Sequence, residues 1–275
     1  MDIKIASQHL LNSYGLYPDK HKSQNFLISE KVYEKILTAA EVTAEDVVLE
    51  IGPGLGFLTT RLLDTVKKVI AIEYDEKLKA LLNTIASSYP HLELHWQNVL
   101  DFDERNLPTG YKIVANIPYH LTGKILSKFI TSANKPSRLV LMLQREVAER
   151  ICARAGNHSL LSLSIQYYGQ PKIIARVPSS KFYPRPKVDS AIILIDHLQQ
   201  VDEMQEKKFW HLARIGFSSK RKTLVHNLSA GLHKEKDELK TLFNSVNLNP
   251  LARAQELEIS DWLKLVEVEF ASDYT

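Results

Sequence analysis

Apolar residues over the first two-thirds of the chain recur at two alternating periods. Val32, Ile36, Leu37 and Ala40 are spaced as one helical face behind Ser29, a residue type that caps helices, which predicts a helix from Ser29 to near Ala40. Val47 to Ile51 is a short β-branched run ending in glycines, and Phe57 to Leu63 returns to helical spacing, so strand, turn and helix are expected in that order. The cycle repeats with a buried strand at Val69 to Ile72, a helix at Asp75 to Ser87 and a strand at Leu92 to Trp96. Strands at Tyr111 to Ala115 and Leu139 to Leu143, with helices from near Thr122 and Arg145, continue it. This alternation predicts a doubly wound, Rossmann-like α/β fold around a mostly parallel sheet. Ile173 to Val177 and Ala191 to Ile195 read as a strand pair bracketing an ordered loop at Pro178 to Pro186. Beyond Asp196 no strand signal recurs, and Phe209 to Phe217, Thr223 to Leu228, Leu239 to Val246 and Trp262 to Val268 read as helices. The expected organisation is an N-terminal arm at 1–22, an α/β domain at 23–198 and a small all-α domain at 199–275.

Composition sets limits on this outline. The 275 residues are 44% hydrophobic and 24% charged, ordinary for a globular chain with a substantial core. No apolar run approaches the roughly 20 residues of a membrane span, and Met1-Asp2-Ile3-Lys4 lacks the layout of an export signal, so a cytoplasmic protein without membrane contact is expected. The single cysteine, Cys152, excludes an internal disulfide and any multi-cysteine metal site; no metal is expected. A formal net charge of +3 says little about partners, but the charge is unevenly spread. Ten Lys or Arg face three acids between Lys135 and Ser190, and seven basic residues with no acid run from Lys207 to Lys234. These stretches read either as phosphate-binding faces or as ordinary solvated surface.

Glu50-Ile51-Gly52-Pro53-Gly54-Leu55-Gly56 lies between a predicted strand and a predicted helix, where glycine permits a tight turn and close approach of a nucleotide-like ligand. Glu73 closes the next strand roughly 20 residues on, where a carboxylate accepts hydrogen bonds from both hydroxyls of an adenosine ribose. Singly, the glycines serve a turn and Glu73 a solvated strand end; together they read as a nucleoside site. Dinucleotide enzymes favour G-x-G-x-x-G, whereas the G-x-G-x-G spacing here is typical of methyltransferases binding S-adenosylmethionine, which carries no phosphate. Asn98, after the third strand, is placed either to meet the cofactor's adenine amine or to make a turn.

Asn116-Ile117-Pro118-Tyr119 follows the fourth predicted strand. The exocyclic amine of adenine is a poor nucleophile because its lone pair is delocalised into the ring. Two acceptors, the Asn116 side-chain carbonyl and the Ile117 backbone carbonyl, can each take one N–H and concentrate electron density on nitrogen as it attacks the methyl. Pro118 fixes its own φ and biases Ile117 to an extended conformation, which presents that carbonyl. Tyr119 offers an aromatic face for an extruded base, worth roughly 1–3 kcal/mol. The alternative is a strand-ending turn with a satisfied tyrosine.

With these residues in view, the chain resembles the ribosomal RNA adenine dimethyltransferases, the KsgA (RsmA) family, over nearly its whole length. The likeness is carried by Gln24-Asn25-Phe26-Leu27, Glu50 to Gly56, Glu73, Asn116 to Tyr119, the Phe182 to Ser190 stretch FYPRPKVDS, Phe217 to Leu224 and Arg253 to Leu257. It implies cofactor contacts from Asn25, Leu27, Gly52, Gly54, Gly56, Glu73, Asn98 and Asn116, and makes Phe182 a second ring against the target base. It also implies dimethylation of two adjacent adenosines in the 3′-terminal hairpin of 16S RNA in an immature small subunit, by a chain expected to be monomeric. Lys22-Ser23 departs from the family's usual Leu-Gly or Phe-Gly, and Asn157 to Leu161 from its Tyr-Gly-Arg pattern. Asn98 stands where the family commonly has Asp, which predicts altered cofactor affinity with function kept.

Lys220, Arg221 and Lys222 begin a predicted helix, where cations oppose the positive end of the dipole unless phosphate is bound. With Lys181, Arg185 and Lys187 they are expected to form one RNA-gripping surface. Three other readings stay open: a resistance-type 23S ribosomal RNA adenine methyltransferase, an RNA-binding assembly or transcription factor that keeps the fold without its chemistry, and an enzyme methylating DNA adenine or protein glutamine.

Overall fold

A computed structural model describes residues 2–19 and 24–269. The first compact unit comprises the chain up to Glu149 together with Gly169–Gln199, and the second Arg150–Tyr168 together with the chain from Gln200 on.

In the first unit, α1 (Ile3–Ser13), β1 (Phe26–Leu27) and α2 (Glu30–Ala40) precede β2 (Val47–Ile51), α3 (Phe57–Leu63), β3 (Lys68–Glu73), α4 (Lys79–Ser88) and β4 (Leu92–Trp96). There follow β5 (Lys112–Asn116), α5 (Thr122–Thr131), β6 (Arg138–Gln144) and the first residues of α6 (Arg145–Ile151). The second unit begins within α6 and contains α7 (Leu160–Gln166), and the chain then returns to the first unit with β7 (Gln170–Val177), β8 (Phe182–Tyr183) and β9 (Ser190–Asp196). The sheet order is β4-β3-β2-β5-β6-β9-β7, parallel from β4 to β6 and antiparallel through β9 and β7; β1 and β8 form a separate antiparallel pair.

The central strands are mostly apolar (Val48, Leu49, Val69, Ile72, Ile113 and Val114 are all buried), with Glu50 the exception inside β2, because helices cover both faces of the sheet. After β4 the chain crosses back to lay β5 on the other side of β2, so the direction of winding reverses between β2 and β5. At such a reversal the connections leave to opposite faces and open a crevice at the carboxyl ends of the strands, where ligands bind in this architecture. The glycine loop, Glu73, Asn98 and the Asn116 tetrapeptide all follow the carboxyl ends of β2, β3, β4 and β5.

Three expectations are corrected. The arm contains a helix, α1, whose buried Ile3, Ser7 and Leu11 repeat every four residues; Leu11 packs with Leu78, Leu81 and Leu82, and the Tyr14 hydroxyl donates to Thr84 Oγ1 at 3.1 Å. Its stripe is short, one residue per turn, which hid it from the periodicity. The basic end Lys20, His21, Lys22 and the departure at Lys22-Ser23 lie outside the described residues. The second correction concerns Arg150–Tyr168, which lies inside the expected 23–198 domain but clusters with the helical unit. Gly156 N and His158 N donate to Gln255 O at 2.8 and 3.2 Å, the His158 ring lies between Ser162 Oγ and Glu258 Oε2, and Tyr167 stacks on Phe209 at 4.2 Å. The Arg253 to Leu257 stretch therefore holds this excursion through its own backbone.

The rest of the second unit is α8 (Glu203–Gly216), α9 (Leu224–Leu232), α10 (Lys236–Ser245) and α11 (Ile259–Glu269). Here lies the third correction. Thr223 is the N-cap of α9, accepting from His226 N at 3.3 Å, so Lys220, Arg221 and Lys222 occupy the turn before the helix and not its first turn. The turn is braced from within the helix: Asn227 Nδ2 donates to Gly216 O at 2.6 Å and Ser219 O at 3.0 Å. A Cβ on Gly216 would come within 2.5 Å of the Trp262 ring, so close helix packing requires glycine there.

Candidate active site

A cleft of about 390 Å³ opens at the carboxyl ends of β2 to β5, walled by the glycine loop, Glu73 to Asp75, Gln97 to Val99, Asn116 to Leu121 and, from the N-terminal side, Gln24 to Leu27. The glycine loop runs along its floor. Gly52 N donates to Ile72 O at 2.9 Å, which ties the start of the loop to β3. Gly54 and Gly56 have φ of 58° and 78°, in the left-handed region that other residues avoid. A Cβ on Gly56 would lie 2.2 Å from Ile85 Cδ1, so this glycine also lets α3 start hard against α4.

Glu73 is 9% exposed and accepts three backbone hydrogen bonds: Tyr74 N and Asp75 N to Oε1 at 2.9 and 2.8 Å, and Gly54 N to Oε2 at 3.3 Å. Burial raises its pKa, while the three N–H donors favour the charged form. The donors fix the carboxylate plane, and their uneven split leaves Oε2 with the greater accepting capacity toward a ligand. Asp75 is buried too; it accepts from Gln24 Nε2 at 2.6 Å, while Gln24 Oε1 accepts from Asp19 N at 2.9 Å. Gln24 thus anchors the segment that closes the cleft from above.

The Asn116 amide donates through Nδ2 to the backbone carbonyl of Asn25 at 3.5 Å. That long contact favours one amide orientation, in which the nitrogen is turned to Asn25, next to β1, and the oxygen is left free as an acceptor. Asn25 acts on Asn116 through main chain, and Leu27 O is held by the Tyr33 hydroxyl at 2.9 Å. Pro118 has φ −60° and ψ 123°, and the turn after it is closed by Leu121 N to Pro118 O at 3.0 Å. Tyr119 is half-buried and its hydroxyl meets Ser190 Oγ at 2.5 Å; burial raises the phenol pKa and the Ser190 bond opposes that shift. Asn98 Oδ1 accepts from Leu100 N at 3.0 Å, so it makes the turn, and it also lines the cleft.

Phe182 departs from expectation. At 3% exposure it belongs to the core cluster with Leu27, Tyr33 and Val177 and does not line the cleft. The β1–β8 pairing sets Phe182 opposite Leu27, and both side chains join the core of the α/β unit. Its assignment as a second stacking ring is withdrawn. Lys181, Arg185 and Lys187 are exposed around β8, with Arg185 Nε donating to Ser179 Oγ at 2.9 Å; Lys220, Arg221 and Lys222 are exposed on the second unit.

Ser190, Gln24 and Glu50 have structural roles at the site that their motifs do not announce. Glu50 carried a signal, an acid inside an otherwise apolar strand; Ser190 carried none, because its partner is 71 residues away in sequence. Ser190→Ala is expected to raise KM for the substrate about three- to tenfold with kcat little changed, the range of one net hydrogen bond. Tyr119→Phe should match it and the double variant add nothing, as steady-state kinetics would show; additive losses would mean the two hydroxyls act separately.

Comparison with known proteins agrees with this geometry. The profile of the ribosomal RNA adenine dimethylase family matches residues 19–269. The chain is 39% identical to the ribosomal RNA small subunit methyltransferase A of Dehalococcoides mccartyi, over 98% of this chain and 94% of that one. It is 36% identical to the protein of the same name from Clostridium botulinum, over 95% and 97%. Its fold superposes on a dimethyladenosine transferase from Plasmodium falciparum with TM-score 0.76 and 27% identity, covering 90% of this chain and 98% of that one. No described helix is long and apolar enough to cross a membrane. The cleft at the strand ends, the oriented Asn116 amide and a match along nearly the whole chain lead to one assignment: this chain belongs to the ribosomal RNA adenine dimethylase family, and is a methyltransferase of Rossmann-like fold.

Proposed function

We propose that the protein transfers methyl groups from S-adenosylmethionine to the N6 amines of two adjacent adenosines in the 3′-terminal hairpin of 16S RNA, within an immature small subunit in the cytoplasm, acting as a monomer. The observation that carries this reading is the Asn116 amide, turned by Asn25 so that its oxygen is the acceptor offered at the mouth of a nucleoside-sized cleft. The near full-length likeness to small subunit methyltransferases supports the choice of RNA.

The residues present fit the cofactor. Glu73 offers a fixed carboxylate for a ribose diol, Gly52 has open space where a side chain would project, and a buried oxygen of Glu50 lacks a partner at the cleft wall. Asn25, Leu27, Gly54, Asn98 and Asn116 complete the holding set, with Asn98 Oδ1 keeping one lone pair for an adenine amine; Gly56, expected among them, does not line the cleft and instead lets α3 start against α4. When bound, S-adenosylmethionine supplies a methyl activated by the sulfonium charge. The chain's own contribution is positioning: Asn116 Oδ1 and the Ile117 carbonyl each accept an N–H of the target amine, Pro118 holds that carbonyl in place, and the Tyr119 ring stacks on the base with its hydroxyl pinned by Ser190. The reaction needs no group to remove a proton before attack.

Lys181, Arg185 and Lys187 grip RNA backbone near the cleft, and Lys220, Arg221 and Lys222 do so from the braced turn of the helical unit. Replacing Lys220, Arg221 and Lys222 with Ala is expected to weaken RNA binding at least about tenfold and lower the salt slope of log Kd by about 2. An unchanged slope would return these residues to plain surface charge. Incubation with labelled S-adenosylmethionine and immature small subunits, naked RNA, DNA or protein tests the whole reading. Label in the 16S hairpin is expected, and label in 23S RNA, DNA or protein, or none, would overturn it.

A further inference from the structure

Glu50 lies in β2, two residues before Gly52, and is 1% exposed; its Oε2 has no hydrogen-bond partner, yet the residue lines the cleft. The groups around it offer no compensating charge. Across the strand ladder stands Ala71; α3 presents the buried Thr59 hydroxyl, a neutral group that offsets part of the cost of burial; α2 presents the Tyr33 phenol, already donating to Leu27 O; and the end of β3 presents the Glu73 carboxylate. Arg61, over the Tyr33 ring at 4.6 Å, is ion-paired with Glu30. Burial, less the influence of Thr59 and reinforced by the Glu73 charge, pushes the Glu50 carboxyl up to about 8. At Glu73, three N–H donors favour the charged form against burial.

A buried carboxyl with an unpartnered oxygen and no cation beside it favours its neutral form, and a positive charge arriving in the cleft favours the ionised one. We propose that Glu50 is the counter-charge for a cationic adenosine derivative: entry of the ligand ionises it, and its proton leaves to solvent. The ligand chemistry is a positive centre on a nucleoside, carried by S-adenosylmethionine as a sulfonium and an α-ammonium. This inference rests on the cofactor reading above and adds to it an obligatory proton release.

Calorimetry of the full chain with S-adenosylmethionine, in two buffers of different ionisation enthalpy, counts the protons released. The ligand's own amino group also titrates, so the quantity to read is the difference between wild type and Glu50→Gln. At pH 7 the wild type is expected to release close to one proton more than the variant. Its Kd should rise about tenfold per pH unit as pH falls from 8, while the variant lacks that slope. S-adenosylhomocysteine, which keeps only the ammonium, and neutral 5′-methylthioadenosine separate the two positive centres; loss of the extra release with the neutral ligand is expected. Equal release and equal pH slopes in both proteins would overturn the proposal while leaving the cofactor reading standing. Failure of the wild type to bind S-adenosylmethionine would overturn both. Without ligand the sign is also fixed. A carboxyl raised from 4.5 to about 8 by folding holds its proton through that window, so wild-type stability declines as pH rises from 5 to 8. The Tm of Glu50→Gln should therefore gain on wild type over the same range, and parallel Tm profiles would count against the proposal.

Discussion

Asn116→Ala is expected to lower the rate of methyl transfer about 10²–10³-fold while leaving RNA affinity within about twofold, the cost of losing one preorganised acceptor at a developing charge. The asymmetry follows from geometry. In the proposed complex Asn116 meets the amine and neither phosphate nor base face; what it offers is an amide oxygen, its nitrogen being turned to Asn25 O at 3.5 Å. That oxygen matters little for holding a flat amine and much for one becoming pyramidal, because a hydrogen bond to the N–H strengthens as positive charge builds on nitrogen. Tyr119→Ala is expected to do the reverse, weakening RNA capture by about five- to hundredfold through lost stacking, with a smaller effect on the step itself. Single-turnover kinetics with saturating RNA, beside direct RNA binding, separates the two. If Asn116→Ala weakened RNA binding as much as turnover, the tetrapeptide would be a binding platform and not the catalytic acceptor.

Glu73→Ala is expected to weaken cofactor binding about 10²–10³-fold, since hydrogen bonds from a ribose diol to a charged acceptor are worth about 1.5–3 kcal/mol each. The substitution also leaves Gly54 N, Tyr74 N and Asp75 N without their acceptor, which loosens the turn carrying Asp75 and through it the Gln24 anchor over the cleft. Glu73→Gln keeps an oxygen for part of this set and should retain the fold with an intermediate loss. Calorimetric titration of S-adenosylmethionine measures the effect. Wild-type affinity in Glu73→Ala would show that the ribose is held elsewhere and would dismiss Glu73 as a cofactor ligand.

The elements that were legible in advance share a cause. Val47–Ile51 and Phe57–Leu63 match expectation residue for residue because buried parallel strands and amphipathic helices carry their burial in local composition. The short elements β1 and β8 were not legible; two residues each cannot show a period, and they exist because each pairs with the other across more than half the chain. The Phe182 expectation failed for the same reason. The direction of the ring is decided by pairing with Leu27 and by the core that receives it. Lys220 to Lys222 were displaced by only a few residues, yet that shift places three cations in the turn before the Thr223 cap and outside the helix itself.

By itself the amino-acid sequence determined the order of strands and helices, the glycine loop, the acid at the end of the next strand and the tetrapeptide after the fourth, because backbone conformation and chemical type are local properties. Only the tertiary structure decided which of these groups face the same space and in what state. The reversal between β2 and β5 brings four strand ends to one cleft; Asn25, 91 residues from Asn116, chooses the amide's orientation; and Ser190 fixes a phenol across 71 residues. The charge state of Glu50 belongs to the same class. It depends on water excluded and cations absent around a buried carboxyl, and these are facts of packing that no stretch of sequence carries alone.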